Sequence, residues 1–132
     1  MFMTDEFRAV WSPRLLSVLR IVVALCFLQH GLTKFLGFPG KAPEHLTLFP
    51  AGIAGVIEVV GGLLLLIGLF SREAAFIMSG EMAFAYFYAH QPRDFFPYNN
   101  GGEAAVVYCF VFLYLAFAGG GPWSVDHGRG RA

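Results

Sequence analysis

Four stretches of the chain are mostly apolar over the length of a membrane span. They lie at residues 14–36, 50–70, 72–91 and 102–119, and segments rich in proline, glycine or arginine separate them. A helix needs about 20 such residues to cross the hydrocarbon core, because each residue adds about 1.5 Å. The pattern predicts an all-α integral membrane protein, a bundle of four antiparallel transmembrane helices.

The segments outside these helices are predicted to lie outside the membrane core. Residues 1–11 mix aromatic and charged side chains, which is typical of the membrane interface, and residues 122–132 form a polar tail. Ser12 and Pro13 together resemble a helix start, since a hydroxyl cap precedes a proline. A short turn joins the second and third helices, and Ser71 is expected to cap the third.

The composition supports a membrane protein. Hydrophobic residues make up 57% of the chain and charged residues 14%, well below the roughly 25% charged of soluble domains. A soluble four-helix bundle is the alternative, but it would need a polar face on each helix, and the second and fourth stretches have none. The net charge is zero and there is no basic patch, so the expected partner is a lipid bilayer and not nucleic acid. The oligomeric state is left open.

The basic residues predict an orientation. With four spans both termini lie on one side, and that side collects more arginine and lysine than the other. The two sets are Arg8, Arg14, Arg72, Arg129 and Arg131 against Lys41, Arg93 and Lys34. The positive-inside rule therefore predicts a multi-pass protein of the bacterial inner membrane with both termini in the cytoplasm.

The second apolar stretch carries one carboxylate, Glu58, near its middle. A carboxyl group facing lipid costs about 2.5 to 3.5 kcal/mol on insertion scales, so Glu58 is predicted to face protein or trapped water. Its helix face also carries Gly55, Gly61 and Gly62. Because small residues let another backbone approach closely, this face is predicted to pack against other helices.

Other polar residues lie at depths that would let them meet Glu58. His30 and Lys34 occupy the outer end of the first helix, and Glu103 opens the fourth directly after a loop containing Asn100. Singly, each has a structural explanation: Glu103 complements a helix dipole, Lys34 extends to the interface, and His30 is a satisfied core residue. Together they predict a polar site in the extracytoplasmic half that can hold and pass protons.

A second pair of charges is predicted nearer the cytoplasmic face. Arg20 on the first helix and Glu81 on the third lie at similar estimated depths, so they are expected to form a buried ion pair. Such a pair either staples the bundle or belongs to a functional site.

The chain has no strong signature of a metal or disulfide centre. Cys26 and Cys109 both lie in apolar runs without CxxC spacing, which is typical of cysteines that act as small hydrophobes, and a redox pair is the alternative. The carboxylates and histidines include no i,i+4 ligand pair within a predicted helix, so no metal is predicted.

Three blocks carry a resemblance to a known family. They are LRIVVALCFLQHGLTKFLG in the first helix, IEVVGGLLLLIGLFSR in the second, and NNGGE before the fourth. With them the chain resembles the DoxX family of small bacterial membrane proteins over residues 14–121. The resemblance implies a four-helix membrane bundle and an association with redox functions, including quinone-linked sulfur-compound oxidation and complexes for oxidative or thiol stress. It implies no established catalytic mechanism.

The first functional hypothesis is a redox-associated subunit that binds a quinone or a similar lipophilic carrier. Glu58 and His30 would exchange its protons, while Phe27, Phe110 and Tyr114 would flank its ring. No residue type in the chain carries electrons by itself, so a partner redox protein or a bound cofactor is required and the chain is at most a non-autonomous oxidoreductase subunit. The alternatives are a binder or conduit for a small solute and a membrane scaffold for partner enzymes.

Overall fold

The computed structural model describes residues 3–131, and over that range the chain forms helices and no strand. The helices are α1 (Asp5–Leu36), α2 (Ile53–Ile67), α3 (Ser71–Ala85), α4 (Pro97–Asn100), α5 (Glu103–Ala118) and α6 (Val125–Gly128). The segment Leu48–Gly52, which is kinked by extended backbone at Phe49, leads into α2, and a wider π-helical turn, Tyr86–His90, extends α3. Asp5–Leu36 and Leu48–Ile67 are long and apolar enough to cross a membrane, and Glu103–Ala118 is a shorter apolar helix.

Helix α1 begins well before the predicted start at Ser12 and Pro13, which was therefore wrong. The Phe7 N–H donates to the Thr4 hydroxyl at 3.2 Å, so Thr4 caps the helix, and two acidic residues occupy its first turn. A proline inside a helix removes one hydrogen bond, and here that loss falls on an exposed part of the helix. Residues 3–11 thus lead into or belong to α1, and their place at the membrane interface stays a prediction.

The helices pack in sequence: α1 on α2, α2 on α3, and α3 on α5. Glycine makes the close approaches possible. A Cβ atom on Gly62 would lie 2.7 Å from Leu28 Cγ of α1, one on Gly61 would lie 2.8 Å from Met78 Sδ of α3, and one on Gly55 would lie 2.8 Å from Phe35 Cζ. The glycine face of α2 therefore contacts two neighbouring helices.

The interior and the outer surface are both apolar. Phe27, Phe112, Leu65 and Met78 are almost completely buried at the centre of the bundle. Large hydrophobic side chains on the outer helix faces are exposed, as shown by the 64% exposure of Phe76. Such an extensive exposed apolar surface is unfavourable in water and suits a lipid environment.

The C-terminal tail folds back over the end of the bundle. Arg20, which is fully buried, donates through Nε to the Gly120 carbonyl at 2.8 Å and through Nη2 to the Trp123 carbonyl at 2.6 Å. Its Nη1 donates to the carbonyls of Leu65 and Leu66 in the last turn of α2, at 2.5 and 2.6 Å. One guanidinium therefore joins α1, the end of α2 and the tail.

Asp126 makes a second connection between the tail and the bundle. Its carboxylate accepts from the N–H groups of Phe70 and Ser71 at 2.9 and 2.8 Å, at the start of α3. The predicted Ser71 cap is wrong, because Ser71 is the first residue of α3 and its hydroxyl has no hydrogen-bond partner among the described residues. The carboxylate of Asp126 caps α3 in place of the Ser71 hydroxyl, and its negative charge also complements the helix dipole.

Candidate functional site

Lys34 of α1 and Glu58 of α2 form an ion pair inside the bundle. Lys34 Nζ lies 2.6 and 2.7 Å from the two carboxylate oxygens of Glu58, and the Glu58 side chain is only 4% exposed. The pair forms because α1 and α2 cross closely at Gly31, where a Cβ atom would lie 3.0 Å from both Glu58 Cβ and the Gly55 carbonyl oxygen. The lysine stem then reaches over the glycine face of α2.

Glu81 of α3 is the third ionisable group of the site. Glu58 and Lys34 are the charged groups that act on it electrostatically. Both oxygens of its carboxyl group are buried, and neither has a hydrogen-bond partner among the described residues. Burying a carboxyl group without a hydrogen-bond partner costs free energy, so the Glu81 carboxyl group is available to bind a polar group of a ligand.

The predicted ion pair between Arg20 and Glu81 does not form. All three guanidinium nitrogens of Arg20 are bound to backbone carbonyls near the α2–α3 turn. Glu81 lies ten residues beyond Ser71, the first residue of α3, which is about 15 Å along a helix. The two residues were predicted to lie at similar depths because the depth of Arg20 was counted from the predicted start of α1. In the structure the first turns of α1 extend past the end of the bundle. Arg20 therefore lies level with the α2–α3 turn and not deep in the bundle.

A cavity of 440 Å³ opens between α2 and α3; we call it the lateral cavity. Its lining residues are Lys34, Phe49, Pro50, Ala51, Ile53, Ala54, Ile57, Gly80, Glu81, Phe84, Ala85, Tyr88 and Ala89. Lys34 supplies its ammonium and Glu81 its carboxyl group. Phe84 and Tyr88 stack at 5.2 Å between ring centroids, and Phe49 meets both rings edge-on. The cavity thus combines apolar and aromatic walls with one ammonium and one carboxyl group.

A second cavity of 590 Å³ lies on the other side of Lys34, along α1 and the loop that follows it; we call it the polar cavity. It is lined by Cys26, Gln29, His30, Thr33, Lys34, Pro39, Gly40, Lys41, Pro43 and Ala51. Lys34 and Ala51 line both cavities. The wall between the two cavities is therefore formed in part by a single lysine side chain.

The other predicted site residues lie in different surroundings. His30 is exposed, packs 6.0 Å from the Phe27 ring centroid, and lines the polar cavity within electrostatic range of Glu58. Asn100 is buried, and its side chain donates to the Asp94 carbonyl and the Tyr86 hydroxyl and accepts from the Gly102 N–H. Glu103 is exposed in the first turn of α5. Neither Asn100 nor Glu103 lines the lateral or the polar cavity, so the structure does not bring these two to Lys34.

The aromatic residues predicted to flank a ligand are not those beside the cavity. Phe27 is 1% exposed in the core, whereas Phe110 and Tyr114 point outward from α5. The sequence analysis missed the rings of Phe84 and Tyr88. They follow Glu81 by three and seven residues along α3 and its extension. This spacing puts all three residues on one helix face, and it could have identified the two rings from the sequence.

Both cysteines are free thiols in different surroundings. Cys26 lines the polar cavity, while the Cys109 backbone carbonyl accepts from the Ser79 hydroxyl at 2.8 Å. Over residues 3–131, no three His, Cys, Asp or Glu side chains cluster in a way that could hold a metal ion.

Comparison with known proteins places the chain among membrane proteins. The DoxX family profile matches residues 15–91. An uncharacterized protein of Haemophilus influenzae is 46% identical, over 89% of this chain and 92% of its own length. The inner membrane protein YphA of Escherichia coli is 31% identical over 86% and 89%, and an uncharacterized membrane protein of Mycobacterium tuberculosis is 28% identical over 87% and 81%. No solved structure matches the chain significantly.

The profile match covers more than half of the chain and includes both halves of the ion pair between Lys34 and Glu58. Together with the exposed apolar helix faces, it settles the class of protein. The chain belongs to the DoxX family of membrane proteins.

Proposed function

We propose that this protein is a redox-associated membrane subunit that binds a quinone, or a similar lipophilic ring compound with a polar head, in the lateral cavity. One observation carries the proposal: an apolar cavity with aromatic walls contains a lysine ammonium and a carboxyl group whose two oxygens lack a partner among the described residues. Its volume of 440 Å³ lies in the range of small-molecule sites.

The two charged groups suit both redox states of such a ligand. A quinone presents carbonyl oxygens, which accept hydrogen bonds, and Lys34 Nζ is a donor. The reduced form presents hydroxyl groups, which the unpartnered oxygens of Glu81 would accept. The stacked rings of Phe84 and Tyr88 offer apolar surface to the ring of the ligand.

The chain itself supplies binding, orientation and protons. Electrons for a bound quinone must come from a partner redox protein or from a further cofactor, because no side chain here transfers them. The protein is therefore proposed as a non-autonomous subunit of a redox complex.

We also propose that α1, α2, α3 with its extension, and α5 each cross the bacterial inner membrane, with both termini in the cytoplasm. The exposed apolar side chains on the outer faces of these helices support this topology. The excess of arginine on the side of the termini supports the orientation.

Gly80 permits a direct test of the binding site. It lines the lateral cavity, and a Cβ atom placed on it would have no neighbour within 4 Å. Gly80→Leu should fill the cavity and leave the fold intact, since leucine also favours a helix over glycine by about 0.5 to 1 kcal/mol. Gly80→Ala is the matched control, because one methyl group leaves most of the cavity open.

The measurement is calorimetric titration of decylubiquinone into the purified protein in lipid nanodiscs. We expect the wild-type protein and Gly80→Ala to bind one equivalent, and Gly80→Leu to bind at least about tenfold more weakly, a loss of about 1.4 kcal/mol. Equal binding by Gly80→Leu, or no binding by the wild-type protein, would contradict the proposal.

A binder or conduit for a small solute is the second candidate. The observation that favours it is that Lys34 and Ala51 line both cavities, so the lateral and polar cavities are separated by a thin wall. Failure of the wild-type protein to bind decylubiquinone would favour this candidate.

A further inference from the structure

We infer that the polar cavity is the aqueous entrance of the site, and that Lys34 and Glu58 carry protons from it to Glu81 on the lateral cavity. The inference rests on the proposed function only for the identity of the final proton acceptor, which would be the ligand beside Glu81. The proton route itself follows from the arrangement of the two cavities and the three ionisable groups Lys34, Glu58 and Glu81.

The first step of the argument is the position of Lys34. Its side chain lines both cavities, and its ammonium contacts both oxygens of Glu58. Glu58 is buried and lines neither the lateral nor the polar cavity. In the described part of the chain, the Glu58 carboxylate is therefore connected to the two cavities by its ion pair with Lys34.

The second step is the contrast between the cavities. Gln29, His30, Thr33 and Lys41 give the polar cavity donors and acceptors, so it can hold hydrogen-bonded water. The walls of the lateral cavity are apolar apart from Lys34, Glu81 and the Tyr88 hydroxyl, so they favour a lipophilic ligand over water. A proton needed at Glu81 then reaches it most directly across the wall that Lys34 forms.

The proton transfer itself is balanced without electrons. An N–H bond of the Lys34 ammonium breaks, the electron pair stays on Nζ, and the proton forms an O–H bond with a carboxylate oxygen of Glu58, which Nζ contacts. A bridging water then takes this proton from Glu58 and gives one of its own to Glu81, because the Glu81 oxygens have no hydrogen-bond partner among the described residues. The neutral amine then takes a proton from water or from His30 on the polar side. The titratable groups facing the route come from every element around it: Cys26, His30 and Lys34 of α1, Lys41 of the following loop, Glu58 of α2, Glu81 of α3 and Tyr88 of its extension.

Two glycines allow each cavity to be filled separately. Gly40 lines the polar cavity, and the three heavy atoms nearest to a Cβ atom on it would all belong to the Thr33 side chain, the first at 3.0 Å. Gly40→Leu should therefore fill the polar cavity and leave the ion pair in place, while Gly80→Leu fills the lateral cavity. A third variant, Lys34→Met combined with Glu58→Leu, removes both charges of the pair at once.

The readout is the infrared C=O stretching band of the Glu81 carboxyl group, identified by its disappearance in Glu81→Gln, recorded without quinone in lipid nanodiscs. After transfer to D₂O, the shift of this band reports proton exchange at Glu81. We expect exchange to slow by at least about tenfold in Gly40→Leu and in the Lys34→Met, Glu58→Leu variant, and to be unchanged in Gly80→Leu.

Wild-type exchange rates in both Gly40→Leu and the variant without the pair would overturn the inference, as would the absence of any band that Glu81→Gln removes. The result is independent of the binding titration. If the wild-type protein does not bind quinone but shows the expected exchange pattern, the proposed ligand is refuted and the proton route stands. If it binds quinone but does not show that pattern, the proton route alone is refuted.

Discussion

At the scale of single residues, two long basic side chains are buried in opposite ways. Lys34 is neutralised by one carboxylate, Glu58, whereas Arg20 spends its donors on four backbone carbonyls. A lysine ammonium is a compact charge that a carboxylate can match, and a guanidinium carries several donors in a fixed fork that can join separate segments. The first arrangement can move a proton, and the second holds the structure together.

The ion pair predicts how its members respond to removal. Lys34→Met leaves a buried carboxylate uncompensated and should lower the free energy of unfolding by about 3 to 5 kcal/mol. Lys34→Met together with Glu58→Leu removes both charges and should lose less than that single change. Unfolding in mixed micelles measures the free energy of unfolding of the wild-type protein and of both variants. A double variant less stable than Lys34→Met would show that the pair is not what makes the single change costly.

Arg20 predicts a different loss. Arg20→Met removes the donor of four carbonyls, and each buried carbonyl left without a partner costs about 1 to 3 kcal/mol, so the tail should detach. Hydrogen–deuterium exchange of residues 119–128, measured by mass spectrometry, should then become fast. Arg72→Met is the control, because Arg72 binds the carbonyls of Ala116 and Phe117 at the end of α5 and not the tail. Equal protection of the tail in Arg20→Met and the wild-type protein would contradict this role.

At the scale of elements, contacts from elsewhere in the chain complete the helix ends and helix crossings. The start of α3 is capped by Asp126, which is 56 residues away from Phe70. The crossings of α2 depend on glycine, because a neighbouring side chain occupies the space where Gly61 or Gly62 would carry a Cβ atom. Single substitutions that keep the apolar pattern of each helix can test both the Asp126 cap of α3 and the glycine contacts of α2.

The Asp126 cap predicts a pH dependence. Burial acts to raise the pKa of Asp126, but the N–H donors of Ser71 and Phe70 and the charge of Arg131 outweigh burial and hold its pKa below the usual value. The folded-state pKa thus lies below the unfolded value of about 3.9, so the carboxylate contributes fully to stability above that value. That contribution is lost as the pH falls through the folded-state pKa.

Unfolding measured at a series of pH values should show this loss in the wild-type protein. Asp126→Asn should be less stable at neutral pH and should lack this part of the pH dependence. Glu73→Gln, an exposed acid in the same first turn of α3, is the control and should keep it. A wild-type protein and Asp126→Asn with parallel pH profiles would disprove the carboxylate cap.

The glycine contacts predict opposite outcomes for two leucine substitutions. Gly61→Leu must displace Met78, whose Sδ would lie 2.8 Å from the new Cβ atom, and should sharply reduce the yield of folded protein. A Cβ atom at Gly80 would meet no atom within 4 Å, so Gly80→Leu should fold normally. Size-exclusion profiles in mild detergent compare the two. Normal folding of Gly61→Leu would mean that α2 and α3 do not pack as the structure shows.

At the scale of the whole molecule, the bundle places a charged site between two cavities while the tail closes the opposite end. The proposed topology assigns the site to the extracytoplasmic half and the tail to the cytoplasm. Single cysteines in a background lacking Cys26 and Cys109 test it with a membrane-impermeant thiol reagent. Lys41→Cys should react from the periplasmic side and Arg129→Cys only after the cytoplasmic side is opened. The reverse pattern would refute the orientation.

Much of the fold was predictable because helices are local. The apolar runs and their breaks predicted helices close to the observed α2, α3 and α5, since the helical period and the turn residues act over a few positions. The buried carboxylate at Glu58 and the glycines around it also predicted an inward, closely packed face, because lipid tolerates neither an exposed charge nor an unfilled contact.

Only the tertiary structure decided which partners these residues find. Arg20 and Glu81 looked complementary, but the axial position of α1 separates them, and the acceptors that Arg20 uses are backbone carbonyls, which every residue has and no sequence pattern marks. The lateral cavity likewise depends on how far α2 and α3 diverge and on the extended backbone at Phe49. Sequence determined that a charge must be compensated inside the bundle; the relative placement of the helices determined that Lys34 compensates Glu58 and leaves Glu81 facing the cavity.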